Sequence, residues 1–292
     1  MSSNPLAKSL SESGLSIRNR IRIALLMECT AIKAGNVHPS ASFHDLTYQQ
    51  FVAAAIAIGD RMNRCIHLPV GEVVFQSVKA MMERVGTNTS LGTILLIAPL
   101  AVAINRLERD GKTLAELPVY IHETLARLDS LDSECIYEAI RLAKPGGIGE
   151  TQTMDIQQVA PESIQLAMKT AAAWDDVALQ YATGFELVFE YAKRILDKSP
   201  NGPACLETIR NLQIEILSER VDSLIARKRG IEFANQVQAV AKKVLSSGPY
   251  GSEAFESSWS AFDAFLRDEK HCGNPGTIAD LIAAALFVAL SY

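Results

Sequence analysis

Apolar residues recur at intervals of three and four positions along almost the whole chain, which is the spacing of one face of an α-helix. Ile17, Ile21 and Leu25 show this spacing near the start, and Ile164 and Met168 show it in the middle. Alternating runs that would predict strands are scarce, and none lies beside an Asn-Gly or Asp-Gly hairpin turn. The pattern predicts an all-α fold.

Capping residues divide the periodic segments into separate helices. Thr47 and Gln50 have the spacing of a capping box, Pro161 opens another helix, and Asn274 precedes a proline at a first helical position. These signals predict about eleven helices, near residues 16–33, 47–63, 72–85, 90–108, 113–127, 132–143, 161–199 with a break, 204–227, 231–246, 253–269 and 276–290. The predicted organisation is a single-domain bundle over residues 16–292, after a flexible segment at 1–15.

Composition supports one compact domain and excludes several classes of protein. Of the 292 residues 48% are hydrophobic, enough for a large core, and the net charge of -5 is too acidic for binding nucleic acid by charge alone. The longest apolar stretch, Leu91 to Ile104, contains Pro99 and is shorter than the roughly 18 residues that a spanning helix needs. We therefore expect a buried core helix there and no membrane partner.

The cysteines and the N-terminal segment indicate a compartment. The five cysteines are widely spaced and form no C-x-x-C pair, which fits free thiols in a reducing environment. Residues 1–15 are rich in Ser and lack the basic start and continuous apolar run of a secretory signal. We expect a cytoplasmic protein.

The loop after the first predicted helix collects titratable residues. Gly35 and Asn36 are placed to end that helix with a left-handed cap, so that His38, His44 and Asp45 fall on a single loop. Such a loop could form one wall of a site. Taken alone, the segment also fits a plain helix cap followed by a solvated turn.

Two polar segments lead directly into very apolar helices. Asn88, Thr89 and Gly92 lie at the start of one, and Asn274 stands before the other. Free backbone N–H groups and the positive end of the helix dipole make such starts favourable for phosphate. The alternative is a plain N-cap, with Gly92 packed closely against a neighbouring element.

Charged residues cluster at two further points. Arg227 and Lys228 end a predicted helix, where they could clamp a polyphosphate or simply complement the helix dipole. Asp175 and Asp176 are adjacent, and at least one must face water or a cation because burying an unpaired carboxylate is unfavourable. Together with Asp222 they are candidate ligands for magnesium, and a solvated helix face is the alternative.

Four motifs, taken in order, resemble those of the triphosphoribosyl-dephospho-CoA synthase family: Lys33-Ala-Gly-Asn-Val-His-Pro39, Thr87-Asn-Thr-Ser-Leu-Gly92, Asp222-Ser-Leu-Ile-Ala-Arg-Lys228 and Asn274-Pro-Gly-Thr-Ile-Ala-Asp280. The similarity spans nearly the whole chain. It implies a transferase that joins ATP to 3'-dephospho-CoA and releases adenine. A ribose 2'-hydroxyl would attack the anomeric carbon of the ATP ribose, through a transition state with oxocarbenium character.

The resemblance also implies roles for the residues named above. The expected catalytic residues are Asp45, His38 and His44, with a carboxylate accepting the hydroxyl proton and a histidine protonating adenine. The expected substrate-binding residues are Gly35, Asn36, Asn88, Thr89, Gly92, Arg227, Lys228 and Asn274. Mg²⁺ is the expected cofactor for the triphosphate of ATP, with Asp175, Asp176 and Asp222 as its ligands. The partners implied are ATP, dephospho-CoA or a related acceptor, and a second copy of the chain in a homodimer.

The chain departs from the family pattern at two positions that bear on the choice of substrate. Many members read Lys-Pro-Gly where this chain has Lys33-Ala34-Gly35, and better-characterised synthases carry a Lys where it has Leu91. That Lys could contact phosphate. Two alternatives therefore stay open: a pentosyl or phosphoribosyl transferase acting on another coenzyme precursor, and a protein that binds a nucleotide without turnover.

Overall fold

The computed structural model describes residues 14–146, 155–198, 206–267 and 271–292. Over these ranges the chain forms α-helices, one 3-10 helix at Leu114–Glu116 and no strand, which confirms the predicted all-α fold. Residues 1–13 of the predicted flexible segment lie outside the described residues. The α-helices are α1 (Ile17–Thr30), α2 (Tyr48–Cys65), α3 (Val70–Val85), α4 (Leu91–Arg109), α5 (Leu117–Ala126), α6 (Ser130–Ala143), α7 (Ile164–Ala171), α8 (Asp176–Thr183), α9 (Glu186–Lys198), α10 (Leu206–Glu219), α11 (Ser223–Arg229), α12 (Ile231–Ser246), α13 (Glu253–Leu266) and α14 (Gly276–Ala289).

The described residues hold fourteen α-helices rather than about eleven, because two long predicted helices are divided. The side chains of Ser163 and Asp175 accept hydrogen bonds from backbone N–H groups of the next turn, and so begin α7 and α8. Gly184, with φ at 69°, ends α8. Asp222 begins α11 in the same way. At Asp175 and Asp222 a side-chain cap interrupts an apolar spacing that is otherwise continuous, whereas Ser163 lies close to a predicted helix start.

The first helix ends earlier than the sequence predicts. α1 ends at Thr30, and Ala31 follows in an extended conformation, so that Lys33 lies in the loop and not in the helix. Gly35 has φ at 72°, but it turns this loop and does not cap α1. The sequence therefore predicted the left-handed conformation of Gly35 correctly, but Gly35 lies in the following loop and not at the end of α1.

α14 is the central helix of the bundle. It contacts α1, α4, α8, α9, α10 and α11. Most residues of α14 are buried, and Asp280 is the only charged residue in this helix. A helix that is apolar on all sides is stable only when other elements surround it, so α14 organises the core.

α4 is the second core helix. Among the described residues it is the one helix long and apolar enough to cross a membrane, yet 72% of the relevant stretch is buried inside the bundle. The core helix of a folded domain satisfies the same test of length and composition. This burial agrees with the predicted core helix.

Asp222 joins the starts of two helices. Its Oδ1 accepts a hydrogen bond from the backbone N–H of Ile225 in α11, at 3.0 Å. Its Oδ2 accepts one from the backbone N–H of Ile278 in α14, at 2.8 Å. The residue is buried, and its carboxylate satisfies an otherwise unpaired N–H at each helix end.

We expect Asp222→Ala to lower the free energy of unfolding by about 2–4 kcal/mol, because two buried N–H groups lose their acceptor. Urea denaturation at pH 7 is the measurement. Asp222→Asn keeps one side-chain oxygen as an acceptor, and it is the matched control that should lose less. Equal losses in the two variants would contradict the tie between α11 and α14.

Candidate active site

A cavity of about 740 Å³ is lined by the N-terminal ends of α4, α8 and α14 and by the C-terminal ends of α6 and α11. Its lining includes most of the residues predicted from the sequence: Asn36, Asp45, Asn88, Thr89, Gly92, Asp175, Arg227, Lys228 and Asn274. The lining does not include Gly35, His38, His44, Asp176 or Asp222. Segments far apart in the chain therefore converge on one cavity.

Amide side chains hold the loop after α1 against the loop before α14. The Nδ2 of Asn36 donates to the Oδ1 of Asn274 at 2.6 Å, and the Nε2 of Gln213 donates to the Oδ1 of Asn36 at 2.7 Å. Gln213 is fully buried and also pairs with the backbone of Ala34 in both directions. Asn274 was predicted as a helix cap, but Pro275 occupies that position and the Asn274 side chain bonds to Asn36 instead.

Gly35 has a structural part in the same loop. Its N–H donates to the Oδ1 of Asp263 at 2.7 Å, and a Cβ added here would lie 2.8 Å from the Cβ of Leu266. The loop therefore sits directly on α13. A glycine is required both by the positive φ and by this close approach.

Asp280 meets the start of α4 inside the cavity. Its Oδ1 accepts a hydrogen bond from the Thr93 hydroxyl at 2.5 Å, and a Cβ added to Gly92 would overlap its Oδ2. The pKa of Asp280 is raised to about 8, chiefly because the helices shield the carboxyl from water, and further because Glu28 and Asp222 are negative. Gly92 was predicted to contact substrate; here its missing side chain makes room for this carboxyl.

Glu28 brings a second carboxylate to the cavity and is paired. The Nζ of Lys33 lies 2.8 Å from its Oε1 and also donates to its backbone carbonyl. The Lys33 side chain is fully buried. A buried ammonium needs such a partner, because its transfer from water is otherwise very unfavourable.

Among the residues that the structure describes, three with cationic side chains line the cavity. Arg227 and Lys228 come from the end of α11, and Lys144 follows α6 with φ at 45°. The Nη1 of Arg227 pairs with the Oδ2 of Asp175, whose Oδ1 caps α8 by accepting from the N–H of Val177 at 2.8 Å. The sequence predicts the first two cations, whereas Lys144 was missed. The sequence feature that could have identified Lys144 is the polar segment that begins beside it, at Pro145.

The carboxylates predicted as magnesium ligands are bound elsewhere. Asp176 is buried, and its Oδ1 lies 2.7 Å from the Nη2 of Arg220, so burial raises its pKa while the arginine opposes that shift. Both oxygens of Asp222 accept backbone N–H groups. Asp175 is paired with Arg227. The structure therefore does not bring Asp175, Asp176 and Asp222 together as one donor set.

Of the predicted catalytic residues of the first loop, His38 lies apart from the other two. His38 is buried in a tight turn, where its Nδ1 accepts from the N–H of Ser40 at 3.3 Å, and burial followed by the nearby Arg267 lowers its pKa. His44 is largely exposed, with its Nδ1 3.7 Å from the Oδ1 of Asp45. Asp45 lines the cavity, and its Oδ1 lies 2.5 Å from the Nε2 of His271, a residue that the sequence analysis did not identify.

We expect Gly92→Ala to lower transferase activity at least about tenfold by displacing the Asp280 carboxyl from its seat beside Thr93. In an unconstrained helix the same change would stabilise the protein by about 1 kcal/mol. Here thermal unfolding should show no stabilisation, because the added methyl group overlaps a carboxyl oxygen. A stabilised and fully active variant would contradict the close contact.

Comparisons with known proteins identify the family of the chain. The family model described as ATP:dephospho-CoA triphosphoribosyl transferase (CitG) matches residues 15–291. A solved structure from Archaeoglobus fulgidus, provisionally assigned as a triphosphoribosyl-dephospho-CoA synthase, is 25% identical, with a TM-score of 0.63 over 82% of this chain and 98% of that one. Comparison with curated proteins gives no significant match. Since the family model covers nearly the whole sequence, the chain belongs to the ATP:dephospho-CoA triphosphoribosyl transferase family and is a transferase.

Proposed function

We propose that the cavity transfers the triphosphoribosyl group of ATP to the ribose 2'-hydroxyl of 3'-dephospho-CoA and releases adenine. The family supports triphosphoribosyl transfer between these two substrates in general. The observation that carries the finer proposal is the placement of three cations and the carboxyl of Asp280 on the walls of one cavity. The cations suit a triphosphate, and the carboxyl suits a hydroxyl that must lose a proton.

The triphosphate would lie between the start of α4 and the cationic wall. α4 presents its N-terminal turn to the cavity, with Asn88 holding the N–H of Leu91 at 3.0 Å. The helix dipole and the remaining backbone N–H groups favour an anion at this end. Arg227, Lys228 and Lys144 would supply charge-assisted hydrogen bonds to the phosphate oxygens.

Asp280 is the proposed general base. As the 2'-oxygen forms its bond to the anomeric carbon, the bond from that carbon to adenine breaks, and the carboxylate takes the hydroxyl proton. A carboxyl whose pKa is near 8 holds a proton more strongly than an ordinary Asp, and so it is a stronger base once ionised. The Thr93 hydroxyl donates to the Oδ1 of Asp280 and so orients the carboxyl.

Magnesium would enter with the substrate. The donor set expected from the sequence does not form, since Asp175 and Asp176 are each paired with an arginine and Asp222 with two N–H groups. Mg²⁺ is commonly held by substrate phosphates with few protein ligands. We therefore propose that it accompanies the triphosphate of ATP.

One position favours a related acceptor as a second candidate. Leu91 lines the cavity where better-characterised synthases carry a Lys, and its side chain is apolar and nearly buried. A phosphate contact available to those synthases is thus absent from this position. An acceptor with fewer phosphate groups, or with an apolar group there, would fit this chain better than it fits them.

Incubation with ATP, Mg²⁺ and dephospho-CoA, followed by mass spectrometry, tests the proposal directly. We expect free adenine and a product that retains all three phosphates of ATP. Adenine release that requires a different acceptor would support the second candidate. Binding of ATP without any adenine release would contradict both.

We expect Asp280→Asn to lower kcat at least about a hundredfold, which is the usual contribution of a general base. The same variant should unfold at an equal or higher temperature at pH 8. The reason is that a raised pKa makes the folded state less stable as pH rises from about 4 to 8, and the amide cannot ionise. Lost activity with a lower unfolding temperature would point to misfolding instead.

We expect kcat/KM of the unaltered enzyme to rise about tenfold between pH 6 and 7 and to level off above about pH 8. The base must be ionised to accept a proton, and its pKa is about 8 in the folded protein. Initial rates of adenine release across this range are the measurement. A profile already flat at pH 6 would remove Asp280 from the role of base.

We expect Arg227→Met to raise the KM for ATP by about 10- to 100-fold, since one charge-assisted contact contributes about 1.5–3 kcal/mol. The effect on kcat should be smaller. Arg229→Met is the matched control, because Arg229 ends the same helix but is absent from the cavity lining and lies over the ring of Phe233 at 3.9 Å. Equal effects of the two changes would contradict a specific phosphate contact.

A further inference from the structure

Two histidines and one carboxylate meet at the edge of the cavity. His44 and Asp45 belong to the loop between α1 and α2, and His271 lies just before α14. One ligand atom from each lies within 4.8 Å of the others. The Oδ1 of Asp45 is 2.5 Å from the Nε2 of His271 and 3.7 Å from the Nδ1 of His44. Although His271 lies more than two hundred positions from His44 and Asp45 in the chain, the three side chains form one cluster of potential metal ligands.

We propose that His44, Asp45 and His271 bind one divalent transition-metal ion, of which Zn²⁺ is the representative. Imidazole nitrogen with a single carboxylate oxygen is a donor set that zinc and its neighbours favour, whereas Mg²⁺ and Ca²⁺ favour oxygen alone. Bonds of about 2.0–2.2 Å to these ligands require that the exposed His44 ring move closer and that the Asp45 carboxylate move slightly away from the Nε2 of His271. This ion is distinct from the magnesium that accompanies ATP.

The ring of His271 is already held in place. Its centroid lies 3.8 Å from that of Phe43, and its side chain is 14% exposed. The residue also has φ at 54°, a conformation that non-glycine residues adopt infrequently. The centroid of the His44 ring lies 5.5 Å from that of His271. Packing therefore orders the His271 side chain before any ion arrives, while the exposed His44 ring is free to adjust.

The carboxylate is also suited to bind a cation. Its hydrogen bond with His271 lowers the pKa of Asp45, so the group is ionised at neutral pH. An ion placed between these two side chains would take the place of the hydrogen bond between them. Because Asp45 and His271 line the cavity, an open position on the ion would be accessible to an oxygen of a bound molecule.

Metal content measured on the full chain tests this site independently of transferase activity. The protein is stripped with a chelator, equilibrated with Zn²⁺ or Co²⁺, desalted and analysed by mass spectrometry for metal. We expect a single equivalent in the unaltered protein and less than about a tenth of one in Asp45→Asn and His271→Asn. Asn is chosen for position 271 because it tolerates a positive φ.

Matched controls separate this cluster from other ligands. His67→Asn removes an exposed histidine outside the cluster, and Cys272→Ser removes the thiol next to His271. Both variants should retain the ion, and the visible absorption of bound Co²⁺ should lack a thiolate band. Circular dichroism verifies that each variant folds. Failure of the unaltered protein to retain metal, or loss of metal only in Cys272→Ser, would overturn the proposal.

Discussion

The cavity depends on one close contact, between the first turn of α4 and Asp280 of α14. Gly92 leaves the space that the carboxyl occupies, and Thr93 donates the hydrogen bond that orients it. α14 is enclosed by six other helices, so the core of the bundle fixes the position of this carboxyl. A reactive group carried by a core helix is held more precisely than one carried by a loop.

The carboxylates around this contact are neutralised in different ways. Glu28 is paired with Lys33, Asp175 with Arg227, and Asp176 with Arg220. Among the described residues, no cation pairs with Asp280, which is hydrogen-bonded by the hydroxyl and the backbone N–H of Thr93. Burial therefore raises its pKa, with no cation beside it to oppose the shift. A carboxyl left without a charge partner inside a cavity is a candidate for catalysis, since a purely structural role would favour neutralising it.

The sequence was sufficient for the fold class and for the parts of the site that lie at helix starts. Apolar spacing predicts helices because each helix must bury one face. Polar residues at the start of a helix, such as Asn88 and Thr89, indicate backbone N–H groups that are available to a ligand. Divided helices were harder to predict, since the caps at Asp175 and Asp222 compete with an apolar spacing that continues through them. The local sequence pattern thus predicted the fold class correctly but not the number of helices.

The pairing of charges could not be read from the sequence. Asp175 and Asp176 look alike in the chain, yet one lines the cavity and the other bonds to Arg220 outside it. Asp280 appeared within a family motif without a role, although a single charge in an apolar helix was a signal. Its partners Gly92 and Thr93 lie almost two hundred positions away, and only the folded core brings them together.

The cationic wall has a second consequence for Asp280. A triphosphate brings several negative charges into the cavity, and these would raise the pKa of a nearby carboxyl further, leaving it protonated and inactive as a base. In the proposed reaction Arg227, Lys228 and Lys144, which line the cavity, would offset that field while they hold the phosphates. Because Arg227 is already paired with Asp175, part of its charge is neutralised before a nucleotide binds. The cations and the proposed counter-ion of the nucleotide would therefore have to act together to keep Asp280 able to accept a proton.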